Sequence, residues 1–375
     1  MGHLVPITRH SSPITAVQQP RSILVVVTRR IGDVLLATPL IRSLKRAWPD
    51  AQVDALVFDG TQGVITSNPD LRNVLAIAHR PGWLRHAAFL LRLARRYDIA
   101  LSLVPGDRPT LYAYLAGRWR AGLLLPTRKE RWKRRFLHRS VPFDERDTHT
   151  VLMHLALVEM LGIPAHREVM VTWSGQDAQQ LDTLLGTDGR PLAVLHPSPK
   201  FNYKMLRQQT WVEIATWLQV HGYRLVISGG PDGAERAYID GLVCDMPAGT
   251  VSLAGKLTLG GTACLLSRAA VYVGPDTAVT HMAAALGVPT VAFYGPTDPV
   301  KWGPWPRGYA ASGNPWRRLG SQSVGNVRLI QGNASCAPCH SEGCERHVAS
   351  FSDCLQQLPG EKVVAAIESL LKKKS

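Results

Sequence analysis

Five consecutive apolar residues, Ile23 to Val27, constrain this chain more than any other feature. The run is too short for a helix and rich in β-branched side chains, which predicts a strand buried on both faces of a parallel sheet. The chain then turns through Arg30-Ile31-Gly32-Asp33. In the segment that follows, Leu36, Leu40, Ile41 and Leu44 recur at three- and four-residue spacing, predicting a helix with one face on that sheet. In an open parallel sheet, ligands bind beyond the carboxyl ends of the strands, so Gly32 and Asp33 fall where function is expected. Asp33 has two readings there: a helix N-cap, a role Asp fills well, or a working carboxylate in a functional loop.

The alternation continues along the chain. Val53 to Phe58, Val74 to Ile77 and Ile99 to Val104 read as strands, and Leu84 to Tyr97 as a helix with Leu84, Ala87, Ala88, Leu91 and Ala94 on one face. A helix from His149 to Leu161 is closed by Gly162. After Gly189-Arg190-Pro191 the pattern restarts, with strands at 192–195, 224–228, 270–273 and 290–294, helices at 210–221 and 277–286, and a terminal helix from Glu361. A chain of 375 residues is too long for one ordinary core. The expected division is a disordered lead-in at 1–21, an α/β domain at 22–172, a linker at 173–190, a second α/β domain at 191–358, and a helix with a basic tail at 359–375. The fold class is α/β, with two doubly wound domains.

Hydrophobic residues make up 45% of the chain and charged residues 19%, a globular composition. No apolar run reaches the roughly 18 residues that a bilayer span needs. The Ser-, Pro-, Thr- and Gln-rich start lacks the apolar core of a secretory signal, so a cytoplasmic location is expected. A formal net charge of +15 points to an anionic partner: nucleic acid, an acidic glycolipid or an anionic leaflet. Basic residues are densest between Arg118 and Arg139, interleaved with Trp119, Trp132 and Phe136. That pattern suits a membrane surface, a set of phosphates or a solvated face. Two non-catalytic classes fit less well: a nucleic-acid binder lacks a recognisable module, and a two-lobed anion receptor needs export.

The stretch Gly274-Pro275-Asp276-Thr277-Ala278-Val279-Thr280-His281 ends a strand and opens a helix. The free N–H groups of Thr277 and Ala278 then offer a seat for a phosphate or diphosphate, with the Thr277 hydroxyl as a further donor. His281, one turn on, either faces the same crevice or packs, and Asp276 either contacts ligand or caps the helix. Ser198, Lys200 and Lys204 follow another strand and suit a phosphate as hydroxyl donor and point charges. Asp232, in Gly229-Gly230-Pro231-Asp232, has the reach for ribose hydroxyls or closes a tight turn. No Gly-x-x-x-x-Gly-Lys-Ser/Thr, Gly-x-Gly-x-x-Gly, Gly-x-Ser-x-Gly or His-Glu-x-x-His motif occurs. Without an Asp-x-Asp pair, neutralising a diphosphate falls to helix N-termini and lysine. Cys336, Cys339, Cys344 and Cys354 are spaced for a structural zinc or cluster, or are free thiols in a packed loop, while Cys244 and Cys264 are expected in the core.

Arg30-Ile31-Gly32-Asp33-Val34-Leu35-Leu36 with Thr38-Pro39 forms one signature. Asp276-Thr277-Ala278 with His281, Ala283-Ala284-Ala285 and Gly295-Pro296-Thr297 forms a second. Together they resemble the ADP-heptose:lipopolysaccharide heptosyltransferases of glycosyltransferase family 9, over residues 22 to 372, and most closely the heptosyltransferase III type, whose cysteine set is similar to Cys336-Ala337-Pro338-Cys339 and Gly343-Cys344. Ala278 departs from the Gly of many relatives, and Met205-Leu206 from a usual aromatic. The resemblance implies a GT-B architecture: two Rossmann-like domains facing across a cleft, with acceptor on the N-terminal side and ADP-sugar on the C-terminal side. It implies ADP-heptose as donor, the lipid A-core of lipopolysaccharide as acceptor, inversion at the anomeric carbon, and no required metal or other cofactor. It places the work at the cytoplasmic leaflet of the inner membrane, held there through the basic surface, with no role for nucleic acid. Asp33 is then the expected general base, kept ionised by the helix N-terminus, Arg29 and Arg30, while Arg30 and Gly32 shape the acceptor-side turn. Ser198, Lys204, Asp232, Asp276, Thr277, Ala278 and His281 are the expected ADP-sugar contacts.

Overall fold

The computed structural model describes residues 19–372, so most of the expected lead-in and the tail beyond Lys372 lie outside the described residues. The first unit runs β1 (Ser22–Val26), α1 (Ile31–Leu35), α2 (Thr38–Ala47), β2 (Gln52–Phe58), β3 (Asn73–Ile77), α3 (Trp83–Leu93), β4 (Tyr97–Ser102), α4 (Asp107–Ala116), β5 (Gly117–Leu124) and β6 (Arg139–Pro142). Helices α5 (Thr150–Met160) and α6 (Gly175–Leu185) lead to the second unit. That unit opens with β7 (Leu192–Leu195), α7 (Gln208–Val220), β8 (Arg224–Ile227), α8 (Gly233–Cys244), β9 (Val251–Ser252), α9 (Leu259–Ser267) and β10 (Ala269–Pro275). It closes with α10 (Ala278–Leu286), β11 (Thr290–Tyr294), α11 (Pro299–Trp302), β12 (Gln322–Val324), β13 (Val327–Gln331), α12 (Asp353–Gln356) and α13 (Gly360–Lys372).

The first sheet has the order β3-β2-β1-β4-β5-β6 and is parallel throughout. The second has the order β12-β13-β11-β10-β7-β8-β9, parallel except for the edge pair β12–β13. Both are doubly wound, and the strand order reverses between β1 and β4 in one and between β7 and β10 in the other. The loops that follow β1, β7 and β10 therefore open at the two switch points. β1 is buried as its sequence requires, with Ile23 to Val27 fully inaccessible.

The helix expected after β1 is two helices. Continuing α1 would need the Pro39 nitrogen to donate to the Leu35 carbonyl, and proline has no N–H. The Thr38 hydroxyl takes that carbonyl instead, at 2.8 Å, and α2 restarts with Pro39 in its first turn. The segment expected as a linker is also partly helical: Ser174 and Asp177 form a reciprocal capping box that starts α6. The Leu84, Ala87, Ala88, Leu91, Ala94 stripe does not face the core. Leu84 is 63% and Leu91 78% exposed, and the helix ends at Leu93, short of Ala94. The opposite face, with His86, Phe89 and Leu93, packs against α4 and the sheet.

A clasp ties the two units together. His149 donates to the Gly303 carbonyl at 2.8 Å, the Thr150 hydroxyl to the Lys301 carbonyl at 3.1 Å, and Lys301 Nζ to the Asp144 carbonyl. Arg318 pairs with both Asp298 and Asp147, at 2.6 and 2.7 Å.

Burial pushes four histidines below their usual 6.5, to about 3 for His149 and about 4 for His154, His196 and His281. Each is neutral in the folded chain at a pH where the unfolded chain already binds a proton. Their contribution to stability is present above 6.5 and lost as pH falls toward the depressed values. The melting temperature followed by circular dichroism is expected to fall between pH 6.5 and pH 4, and a flat profile over that window contradicts the assignment.

Candidate active site

The loops at the two switch points line one cleft of about 2020 Å³. On the first unit Asp33 is buried at the wall of that cleft, 7% exposed. It is not the helix cap: Arg30 holds that position without a side-chain cap bond, and Asp33 is the third residue of α1. Arg29 and Arg30 do favour its ionised form, as expected, but burial is the larger influence. Burial raises the Asp33 carboxyl above the ordinary range, and Arg29, Arg30, a backbone hydrogen bond from Arg30 and the charge of Lys301 only partly oppose it. Arg30 reaches across the cleft, its guanidinium 4.8 Å from the centre of the Phe201 ring, and Phe201 stacks on Tyr203 at 5.3 Å. Gly32 faces the other unit, where a side chain would come within 3.7 Å of the His281 ring.

Across the cleft, α1 packs against α10. The cap of α10 is Thr277, whose hydroxyl accepts from the Thr280 N–H. Asp276 therefore does not cap; its carboxylate pairs with Lys204 at 2.5 Å. Burial by itself raises the Asp276 carboxyl, but Lys204 outweighs that, with help from Thr297, and holds it below the usual range. Thr277 and Ala278 are half-buried at the cleft wall with the first turn of the helix behind them. His281 is buried, and its Nε2 lies 3.9 Å from Asp276, beyond hydrogen-bond reach. Its Nδ1 has no partner among the described residues. Ser198 and His196 line the same wall, the His196 Nδ1 lying 3.1 Å from the Ser228 hydroxyl.

Residues 86–324 match the family described as glycosyltransferase family 9 (heptosyltransferase). The chain belongs to that family. Among curated relatives, the family 9 chain is 27% identical to lipopolysaccharide heptosyltransferase 3 of Escherichia coli K12, over 91% of this chain and 95% of that one. It is 26% identical to lipopolysaccharide heptosyltransferase 1 of Pseudomonas aeruginosa, over 86% and 87%. Its fold matches a family 9 glycosyl transferase from Veillonella parvula with a TM-score of 0.76 at 20% identity, covering 95% of this chain and 98% of the other. It also matches the E. coli heptosyltransferase WaaC with ADP, TM-score 0.70 at 22% identity, covering 93% and 99%. The architecture is that of the GT-B heptosyltransferases.

Several features of this family 9 cleft were not anticipated. Asp232 caps α8, its Oδ1 accepting from Ala234 and Glu235 N–H groups. Glu235, one turn further, accepts from the Gly230 N–H at 2.7 Å and faces the cleft. The Asp-x-x-Glu spacing at the start of α8 is a capping signature that marks both residues. A side chain at Gly229 would displace Ile239, whose Cδ1 would lie 2.3 Å from the added Cβ. Lys301 is buried beside the cleft, its ammonium 4.2 Å from the centre of the Phe143 ring. Burial pushes it down to about 8, against the pull of Asp144 and Asp33.

Of the remaining expectations, Lys133 is removed from the basic surface. It is 2% exposed and pairs with Asp107 and Glu130. Burial works against its charge, but those two carboxylates outweigh it and hold the ammonium above the usual lysine range. Cys264 is buried, whereas Cys244 is exposed. Cys336, Cys339, Cys344 and Cys354 are free thiols, and among the described residues no group of three or more His, Cys, Asp or Glu is arranged to hold a metal. Cys354 is buried while the other three are exposed; burial first, then the charges of Cys339, Cys336 and Cys344 close by, pushes the Cys354 thiol to about 12.

The Lys204–Asp276 pair is 16% and 8% exposed, so removing one partner strands a buried charge. Lys204→Met is expected to lower the unfolding free energy by about 3 kcal/mol in urea titrations. Stability equal to the parent chain contradicts a structural role for the pair.

Proposed function

We propose that this chain transfers a heptose from ADP-heptose to the inner core of lipopolysaccharide, with inversion and without a required metal. The observation that carries the reading is Asp33, a buried carboxylate facing the first turn of α10 in one cleft. The curated relatives are lipopolysaccharide heptosyltransferases, and one solved neighbour is the E. coli heptosyltransferase WaaC with ADP-2-deoxy-2-fluoro heptose. Residues 22–172 present the acceptor, the lipid A-core, and residues 191–358 bind the ADP-sugar.

In this mechanism Asp33 takes the proton of the acceptor hydroxyl as its oxygen attacks the anomeric carbon. The bond from that carbon to the diphosphate breaks on the opposite face, and its electron pair leaves with ADP. A carboxyl raised by burial is a stronger base than a solvated one, provided it is ionised when the acceptor arrives. Thr277 and Ala278 N–H groups, the Ser198 hydroxyl and the α10 dipole stabilise the charge that grows on the diphosphate. Lys204, held by Asp276, adds a fixed positive charge beside it. His281, at the cleft wall, and the second carboxylate oxygen of Asp232 contact the donor. The exposed basic side chains of Arg128–Phe136 hold the chain at the anionic cytoplasmic leaflet of the inner membrane, where the acceptor is presented.

ADP release from purified chain given ADP-heptose and a truncated core tests this directly. Asp33→Asn is expected to lower kcat by about a thousandfold while leaving ADP affinity unchanged. Full turnover in the variant removes Asp33 as the base, and loss of turnover in a chelator removes metal independence. The acid limb of kcat/KM should lie above the ordinary carboxylate range. Lys301→Met, which deletes a charge that lowers Asp33, should move that limb to higher pH; an unmoved limb contradicts the coupling.

A further inference from the structure

Six of the ten exposed large hydrophobic side chains among the described residues belong to one layer on the first unit: Trp83, Leu84, Leu91, Leu111, Tyr114 and Trp132. Helix α3 packs on α4, and α4 packs on the 3-10 stretch Arg128–Phe136, so the three elements lie side by side. Helix α3 is apolar on two faces. His86 and Phe89 meet Tyr112 of α4, while Leu84, Ala87, Ala88 and Leu91 form a second stripe turned to solvent. A surface helix of a globular protein is expected to turn its polar side outward, and this one does not.

Charge around the stripe is of one sign. Arg85 and Arg92 on α3 flank it, and the five exposed basic side chains of Arg128–Phe136 lie on the other side of α4 in the same layer. The acidic residues of the layer, Asp107 and Glu130, are both engaged by buried Lys133. An apolar stripe with aromatic residues and a basic surround matches an anionic bilayer, with apolar side chains in the acyl region and arginines at the headgroups. No described helix is long and apolar enough to cross a membrane, so the contact is with one leaflet. The layer also joins the cleft: Arg108 of α4 donates to the His79 carbonyl at 2.6 Å and lies over the Phe58 ring, and both Phe58 and His79 line the cleft.

We propose that α3 inserts its outward stripe into an anionic leaflet, flanked by the basic 3-10 stretch, and so sets the acceptor side of the cleft against the membrane. The proposal rests on the lipid-linked acceptor of the preceding section but adds an apolar, inserting element to what was there only an electrostatic contact. The result is a fixed orientation rather than loose adsorption.

Flotation of the full chain with vesicles of phosphatidylglycerol and phosphatidylethanolamine, against phosphatidylcholine alone, tests it with no sugar donor present. The parent chain should bind the anionic vesicles, less so at high salt. Leu84→Gln with Leu91→Gln should weaken binding by about tenfold for each leucine withdrawn from the acyl region. Both side chains are exposed, so the melting temperature should be unchanged. ADP release with a soluble, delipidated core should also be unchanged, while KM for the vesicle-bound acceptor should rise. Vesicle binding by the double variant equal to the parent, or no preference for anionic vesicles, overturns the proposal. So does a parent chain that dimerises in sedimentation and is made monomeric by the double variant without binding vesicles. Vesicle binding without any heptose transfer leaves this inference standing and removes the catalytic reading.

Discussion

A carboxylate buried where positive charge converges is the constraint on which this architecture depends. Asp33 sits at the carboxyl end of β1, with Arg29 and Arg30 before it and Lys301 arriving from the other unit. Removing an acid from water raises its pKa, and the surrounding cations offset only part of that rise. The arrangement makes sense only at a junction. Neither sheet alone supplies both the buried carboxylate and the helix start across the cleft from it, and the packing of α1 on α10 is what brings them together.

Two further sets of contacts keep that junction in register. The Lys204–Asp276 pair fixes the charge at the end of β10, so that the first turn of α10 stays open to the cleft. The clasp of His149, Thr150 and Arg318 with the α11 segment holds the units edge to edge and buries Lys301 beside the cleft. Buried ion pairs and neutral buried histidines are costly features for stability. Their concentration along this interface is what a binding site demands of a fold, since charges that meet ligand must be held in place before it arrives.

Much of this was legible from residue pattern alone. β-branched runs gave the strands, and β11 was read to the residue, because a fully buried parallel strand leaves little freedom of composition. The loops carrying Asp33 and Thr277 were legible for the same reason: they follow such strands. What escaped was set by distant partners. The break at Pro39 is the local exception: proline has no N–H for the Leu35 carbonyl, which the Thr38 hydroxyl takes instead. Lys133 looked like surface until Asp107, from a different element, was seen beside it. Lys301 lies far along the chain from Asp33, and no local spacing connects them. Leu84, Ala87, Ala88 and Leu91 of α3 do share a face, but a second apolar face packs inward, and periodicity says which residues share a face and not which way that face points. Asp232 and Asp276 show the converse, since each is a carboxylate at a helix start and only the geometry tells the cap from the ion-pair partner.

The central claim is that a sugar diphosphate spans from the first turn of α10 to Asp33. A crystal structure of the chain with ADP bound tests this most directly. The account predicts the diphosphate on the Thr277 and Ala278 N–H groups beside Lys204, with the Asp33 carboxylate facing its terminal phosphate across the width of one sugar. A diphosphate seated on the first sheet, or an Asp33 side chain turned away from the cleft, would contradict it.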